Sequence, residues 1–187
     1  MNRNRLTLLF IAALFGLPLV AAWLMQSGLL NWRPAQTVNL GRLVEPPVTL
    51  ELATENKWQL LYLLPAACDA SCEADVTGLR QVHRAAGRHR DKIAVVLLSD
   101  SAAGHPDSQR LLAIDPGFLL VTDPDGALGE VLDEATRRAG LADEDPQRSA
   151  FVLDPGANVI LAYAAGFNPN HLNRDLKRLL TWSAQDE

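Results

Sequence analysis

Cysteine is scarce in this chain: Cys68 and Cys72 are the only two among 187 residues. Any disulfide or thiolate chemistry must therefore come from that one pair. Basic charge is also short, with 17 Lys and Arg against 22 Asp and Glu. Nothing forms the Lys/Arg footprint of a nucleic-acid binder, so that class of partner is excluded. Internal repeats and low-complexity tracts are absent as well. Only four histidines are present, which keeps the search for imidazole ligands short.

One feature is abundant. From Leu6 to Met25 the chain is apolar, with Thr7 the only mildly polar residue. Twenty helical residues cover ~30 Å, the thickness of a bilayer's hydrocarbon core. Arg3 and Arg5 precede the run, which by the positive-inside rule places the N-terminus in the cytoplasm. Trp23 and Trp32 flank the exit side. The expected organisation is a cytoplasmic N-terminus at 1–5, a transmembrane anchor at 6–26, a juxtamembrane connector at 27–48 and an extracytoplasmic domain at 49–187. A cleaved signal peptide is the competing reading, since Val20-Ala21-Ala22 resembles a small-residue cleavage site, but the apolar run continues past it. Either way the domain is expected outside the cytoplasmic membrane, where disulfides persist.

Residues 27 to 187 suffice for one domain with its own core. With Arg3 and Arg5 set aside, 15 basic residues face 22 acidic ones, a net charge of about −7. The clusters Glu130-Asp133-Glu134 and Asp143-Glu144-Asp145 read as solvated surface. Trp58 to Leu64 and Ile93 to Leu98 are short apolar runs of the kind that form buried strands. Between them, Val76, Leu79, Val82 and Ala86 recur at helical spacing from Ser71 to about Arg88. A short helix is expected near Ser108–Ala113, a brief strand at Phe118–Val121 and a helix at Asp125–Ala139. Ala150–Leu153 and Asn158–Tyr163 flank Asp154-Pro155-Gly156-Ala157, a hairpin signal. Leu172, Leu176, Leu179 and Leu180 give the last helix, from about Pro169 to Trp182, its apolar stripe. With the short helix and the brief strand set aside, the order β-α-β-α-β-β-α, with both cysteines where the first strand meets the first helix, predicts an α/β, thioredoxin-like domain.

Two cysteines four apart lie one turn apart on a helix face, with Cα atoms ~6 Å from each other, which a disulfide tolerates. The same two thiolates suit a soft ion such as Cu(I). A helix N-terminus favours the thiolate. Asp69, Glu73 and Asp75 oppose this, and no Lys or Arg lies between 58 and 79, so a weaker thiolate is expected. A permanent, redox-silent disulfide is the alternative, and such a small loop adds only modest stability. For a third Cu(I) ligand, His83 and His89 lie ~16 Å and ~25 Å along the helix from Cys72 and read as exposed helix residues. His171 reads as surface or capping. His105, in the Gly-His-Pro loop after the second strand, could fold back to the cysteine end and is the candidate ligand.

The anchor, the strand ending in Pro65 and Cys68-x-x-x-Cys72 together resemble the Sco/SenC group of membrane-anchored, thioredoxin-like copper proteins. Nearer still are Sco-like membrane proteins of the bacterial cytochrome c oxidase assembly cluster. That likeness lies in Asn31-Trp32-Arg33-Pro34, Trp58 through Cys72, and Asp175-Leu-Lys-Arg-Leu-Leu180. The resemblance implies a factor that assists cytochrome c oxidase assembly, an assembly factor or chaperone rather than a turnover enzyme. Its implied cargo is Cu(I), or electrons that keep the oxidase's copper-ligand cysteines reduced. Its implied partner is an oxidase subunit or another assembly factor. The chain departs from the pattern in two places. The copper-binding His of Sco proteins would fall at about Pro146, in Glu-Asp-Pro-Gln-Arg-Ser, where there is none. No Pro stands directly before Ala150, where thioredoxin-type oxidoreductases place one. A non-catalytic tethered interaction module and a general periplasmic thiol–disulfide oxidoreductase remain the other readings.

Overall fold

The structure is a computed structural model that describes residues 10, 13–20, 23, 39–50, 52, 56–101, 104–144 and 146–183. The chain divides into two compact units, Met1–Thr37 and Val38–Glu187. In the first unit the described residues 10, 13–20 and 23 are α-helical. The expected span over 6–26 otherwise lies outside the described residues. No helix among the described residues is long and apolar enough to cross a membrane.

The second unit is built on one mixed sheet. Its elements are β1 (Arg42–Thr49), β2 (Trp58–Leu63), α1 (Ala70–Ala85), a 3-10 helix (Gly87–Lys92), β3 (Ile93–Ser99), α2 (Ser108–Ile114), β4 (Leu119–Thr122), α3 (Ala127–Arg138), β5 (Ala150–Leu153), β6 (Asn158–Tyr163) and α4 (Pro169–Ser183). The sheet order is β1-β6-β5-β2-β3-β4. β2, β3 and β4 run parallel, whereas β5 is antiparallel to β2, β6 to β5 and β1 to β6. The four central strands with α1 and α4 form the expected thioredoxin-like core, and β4 and β1 extend it at its two edges.

Alternation along the strands sends side chains to two cores. Leu60, Tyr62, Val95, Leu97, Val152 and Leu161 pack with Val76 and Leu79 of α1 and Leu172 and Leu176 of α4. Leu61, Val96, Leu98, Phe151, Leu153 and Val159 face the other way, with Leu132 and Ala135 of α3. The result is a helix–sheet–helix sandwich. α1 and α4 approach closely at Gly78, where a Cβ would lie 2.6 Å from Cγ of Pro169.

Most expected elements are present within a few residues of their predicted bounds, and the β5–β6 hairpin has the expected strand ends. Asp154 Oδ1 accepts the Asn158 backbone N–H at 2.9 Å, and Ala157 takes a left-handed φ of 62°. Three details differ. Strand β1 occupies 42–49, most of it within the stretch read as connector, so the sheet begins before residue 49. Its two prolines obscured it in the sequence. They fall where the β1–β6 register shifts, between Leu43 and Val48, on an edge where a missing N–H is tolerated. The first α-helix ends at Ala85, and Gly87 (φ 56°) opens the 3-10 turn that carries the chain to β3. His83 is half-buried rather than exposed, and burial holds its imidazole below the ordinary value.

Candidate functional site

β2 and β3 are parallel neighbours, so the loops leaving their C-terminal ends meet above the same edge of the sheet. β2 delivers Pro65 and the cysteines there, and β3 delivers residues 104–110. The chain bends at Ala66 and Ala67, just after Pro65, and Asp69 caps α1 by accepting the Cys72 backbone N–H at 2.9 Å. Cys68 and Cys72 form a disulfide across this first turn, with Cα atoms 5.2 Å apart. Both are buried: Cys68 is 5% exposed and Cys72 not at all. Of the two cysteines, Cys68 is the less deeply buried.

His105 folds back to this end, as its place in the loop suggested. It is buried, and its Nε2–H donates to the Pro65 carbonyl at 2.7 Å. Its Nδ1 accepts the backbone N–H of Asp107 at 3.1 Å. A carbonyl only accepts and an amide N–H only donates, so these bonds place the ring proton on Nε2. Both nitrogens are thus committed to shaping the loop beside Cys68. His83, His89 and His171 are not brought to the pair: they lie on α1, the 3-10 helix and the first turn of α4.

Charged residues from outside the cysteine segment were not anticipated. Asp107 Oδ2 accepts the Cys68 backbone N–H at 2.9 Å. That bond, with the Arg110 guanidinium nearby, holds the Asp107 carboxyl below the usual carboxylate range. Arg110 of α2 donates to the Cys68 carbonyl at 2.6 Å. It also pairs with Asp107 and with Glu73 at 2.9 Å each. On the other side, Arg148 donates to Asp75 Oδ2 at 2.8 and 3.0 Å, and Tyr62 donates its hydroxyl to the same oxygen at 2.9 Å. Burial, then the adjacent Asp75 carboxylate, push the Tyr62 phenol well above its ordinary value. Two of the three acidic residues read from the sequence, Glu73 and Asp75, are therefore paired from a distance, by Arg110 and Arg148. Asp107 and Arg110 follow His105 on the same loop and the helix it leads into, so the loop position that pointed to His105 lies beside them. Arg148 left no signal, because its partner lies 73 residues away in the chain.

Immediately before β5 stand Arg148, in a left-handed conformation (φ 65°), and buried Ser149. They continue the pairing with the end of β2: the Arg148 N–H donates to the Leu63 carbonyl and the Leu63 N–H to the Ser149 carbonyl. An Arg–Asp pair thus stands in the stretch where the resemblance would place a metal-binding His. As donors for a soft ion, the site offers two thiolates once the disulfide is opened. No group of three His, Cys, Asp or Glu side chains able to hold a metal occurs among the described residues. A two-thiolate site for Cu(I) fits these residues; a preformed three-ligand site does not.

No curated protein sequence is significantly similar to the chain. Solved structures are similar in fold. Apo Sco1 from Thermus thermophilus aligns with a TM-score of 0.54 at 18% identity, over 78% of this chain and 99% of that one. Copper-bound ScoI from Arabidopsis thaliana gives 0.52 at 13%, over 74% and 99%. Copper-bound yeast Sco1 gives 0.52 at 12%, over 78% and 95%. At these identities the likeness establishes the thioredoxin-like fold. The family model described as the transmembrane-like, thioredoxin-like, C-terminal domain matches residues 58–183, from the first residue of β2 to the end of α4, and the chain belongs to that family.

Proposed function

We propose that this is a membrane-anchored, periplasmic assembly factor for cytochrome c oxidase, acting through Cys68 and Cys72. The pair takes Cu(I) as two thiolates, or passes electrons to the oxidase's copper-ligand cysteines. The observation that carries the reading is the disulfide itself, set at the N-terminus of α1 with its sulfurs at the head of the sheet. A helix N-terminus stabilises the thiolates that opening would create. Two of the similar folds, from Arabidopsis thaliana and yeast, hold copper, which supports the cargo. The apolar run at 6–25 and the basic residues before it support the anchor and its orientation.

In a strain lacking the native gene, the Cys68→Ser/Cys72→Ser protein is expected to leave the oxidase short of copper, while the unaltered chain restores it. Metal content of the purified oxidase is the readout. Normal metallation with the double variant would sink the reading. Paired with loss on deleting the whole domain, it would select a non-catalytic interaction module. The occupied ring nitrogens of His105, and the absence among the described residues of a three-ligand group, favour that second reading.

A further inference from the structure

Arg110 bridges the two ends of the cysteine turn from outside it. It starts on α2, donates to the Cys68 carbonyl, bonds Asp107 beside it, and reaches Glu73, the residue after Cys72. Its side chain is 52% exposed, beside cysteines that are 5% and 0% exposed. Its three acceptors lie on both sides of the cysteine turn, two of them carboxylates. Asp107 in turn holds the Cys68 N–H, so both backbone polar groups of Cys68 are tied to this α2 segment. On the far side Asp75 Oδ2 accepts from Tyr62 and Arg148.

From this geometry we propose that Arg110 is a strap over the disulfide, a positioning residue whose release from Glu73 and Asp107 exposes Cys68 Sγ to attack. The inference rests on the reading above that the pair is opened in use. In the opening step an attacking nucleophile, such as a partner's thiolate, bonds to Cys68 Sγ and the Sγ–Sγ bond breaks. Cys72 leaves with the bonding pair and then takes up a proton. A second thiolate from the partner releases Cys68 as a thiolate and leaves the partner oxidised as a disulfide. The strap does not touch the reacting atoms of this exchange. It sets how often they can be reached.

The full chain is treated with a neutral trialkylphosphine, which attacks sulfur and ends as the phosphine oxide with oxygen from water. Opening is followed by alkylation of the free thiols and mass measurement. Arg110→Gln is expected to open about five to ten times faster, since charge-assisted bonds at a half-exposed site contribute only modestly. Salt should speed the unaltered chain by screening these pairs and leave Arg110→Gln unchanged. Arg110→Lys keeps the charge but lacks the planar fork that spreads donors across the three acceptors, so it should fall between the two. Arg84→Gln, on α1 and away from the pair, should match the unaltered chain and excludes a general loosening. Equal rates for Arg110→Gln and the unaltered chain, or the same salt response, would overturn the strap. Slower opening would overturn it too, by showing that Arg110 stabilises the departing thiolate. A disulfide that stays closed in every variant would overturn the functional reading and the strap with it.

Discussion

Tyr62 and Tyr163 show how single side chains here depend on burial. They are the only tyrosines in the chain. Each donates its hydroxyl to a carboxylate, Tyr62 to Asp75 and Tyr163 to fully buried Asp175. Burial is the larger cause in both, and it raises both phenols well above their ordinary value. A phenol whose folded value exceeds its unfolded one adds stability that is whole below pH ~10 and is lost as pH rises beyond it. Tyrosinate absorbance should therefore stay flat up to about pH 11 while the domain is folded, then rise together with loss of far-ultraviolet ellipticity. A phenolate signal near pH 10 from a folded chain would contradict this placement. The same scale limits what sequence could tell about the site. Asp69, Glu73 and Asp75 were legible as neighbours of the cysteines because they are neighbours in sequence. Arg110 pairs with Glu73 and Arg148 with Asp75 from 37 and 73 residues away, and contacts of that span carry no local pattern.

Among elements, α1 carries the site and its packing on α4 fixes where the cysteine turn stands. Gly78 is buried at that contact, against the Pro169 ring. Ala is the better helix former by ~1 kcal/mol. Its methyl would lie 2.6 Å from a ring carbon that cannot swing away. Overpacking of this kind costs about 1–3 kcal/mol, so Gly78→Ala should be destabilising by about 1 kcal/mol net in chemical denaturation. A gain in stability would mean that α4 yields freely there. Helices and central strands were readable because apolar period and turn residues agreed at each of them. The β5–β6 hairpin ends matched for that reason. β1 was unreadable because its ladder is interrupted at Pro46-Pro47, whose carbonyls accept from Arg138 of α3 instead.

For the molecule as a whole, the fold places one disulfide at the C-terminal ends of β2 and β3 and closes it in on both sides. β1 runs antiparallel to β6, so residues 40–41 enter the domain at that same end of the sheet. Asp175 of α4 holds them by accepting the Leu40 and Gly41 backbone N–H groups together with the Tyr163 hydroxyl. The order of elements and the cysteine turn made this architecture legible in the sequence; the enclosure of the disulfide was not, since it is built from loops that meet only in the folded chain. Copper handling and electron transfer both require that the pair open to two thiolates under the conditions in which the protein works. The reduction potential of Cys68–Cys72 in the full chain, equilibrated against thiol–disulfide buffers, tests that requirement most directly. A working pair should lie above about −300 mV. A value well below that would mark the bond as a permanent structural link and contradict the account.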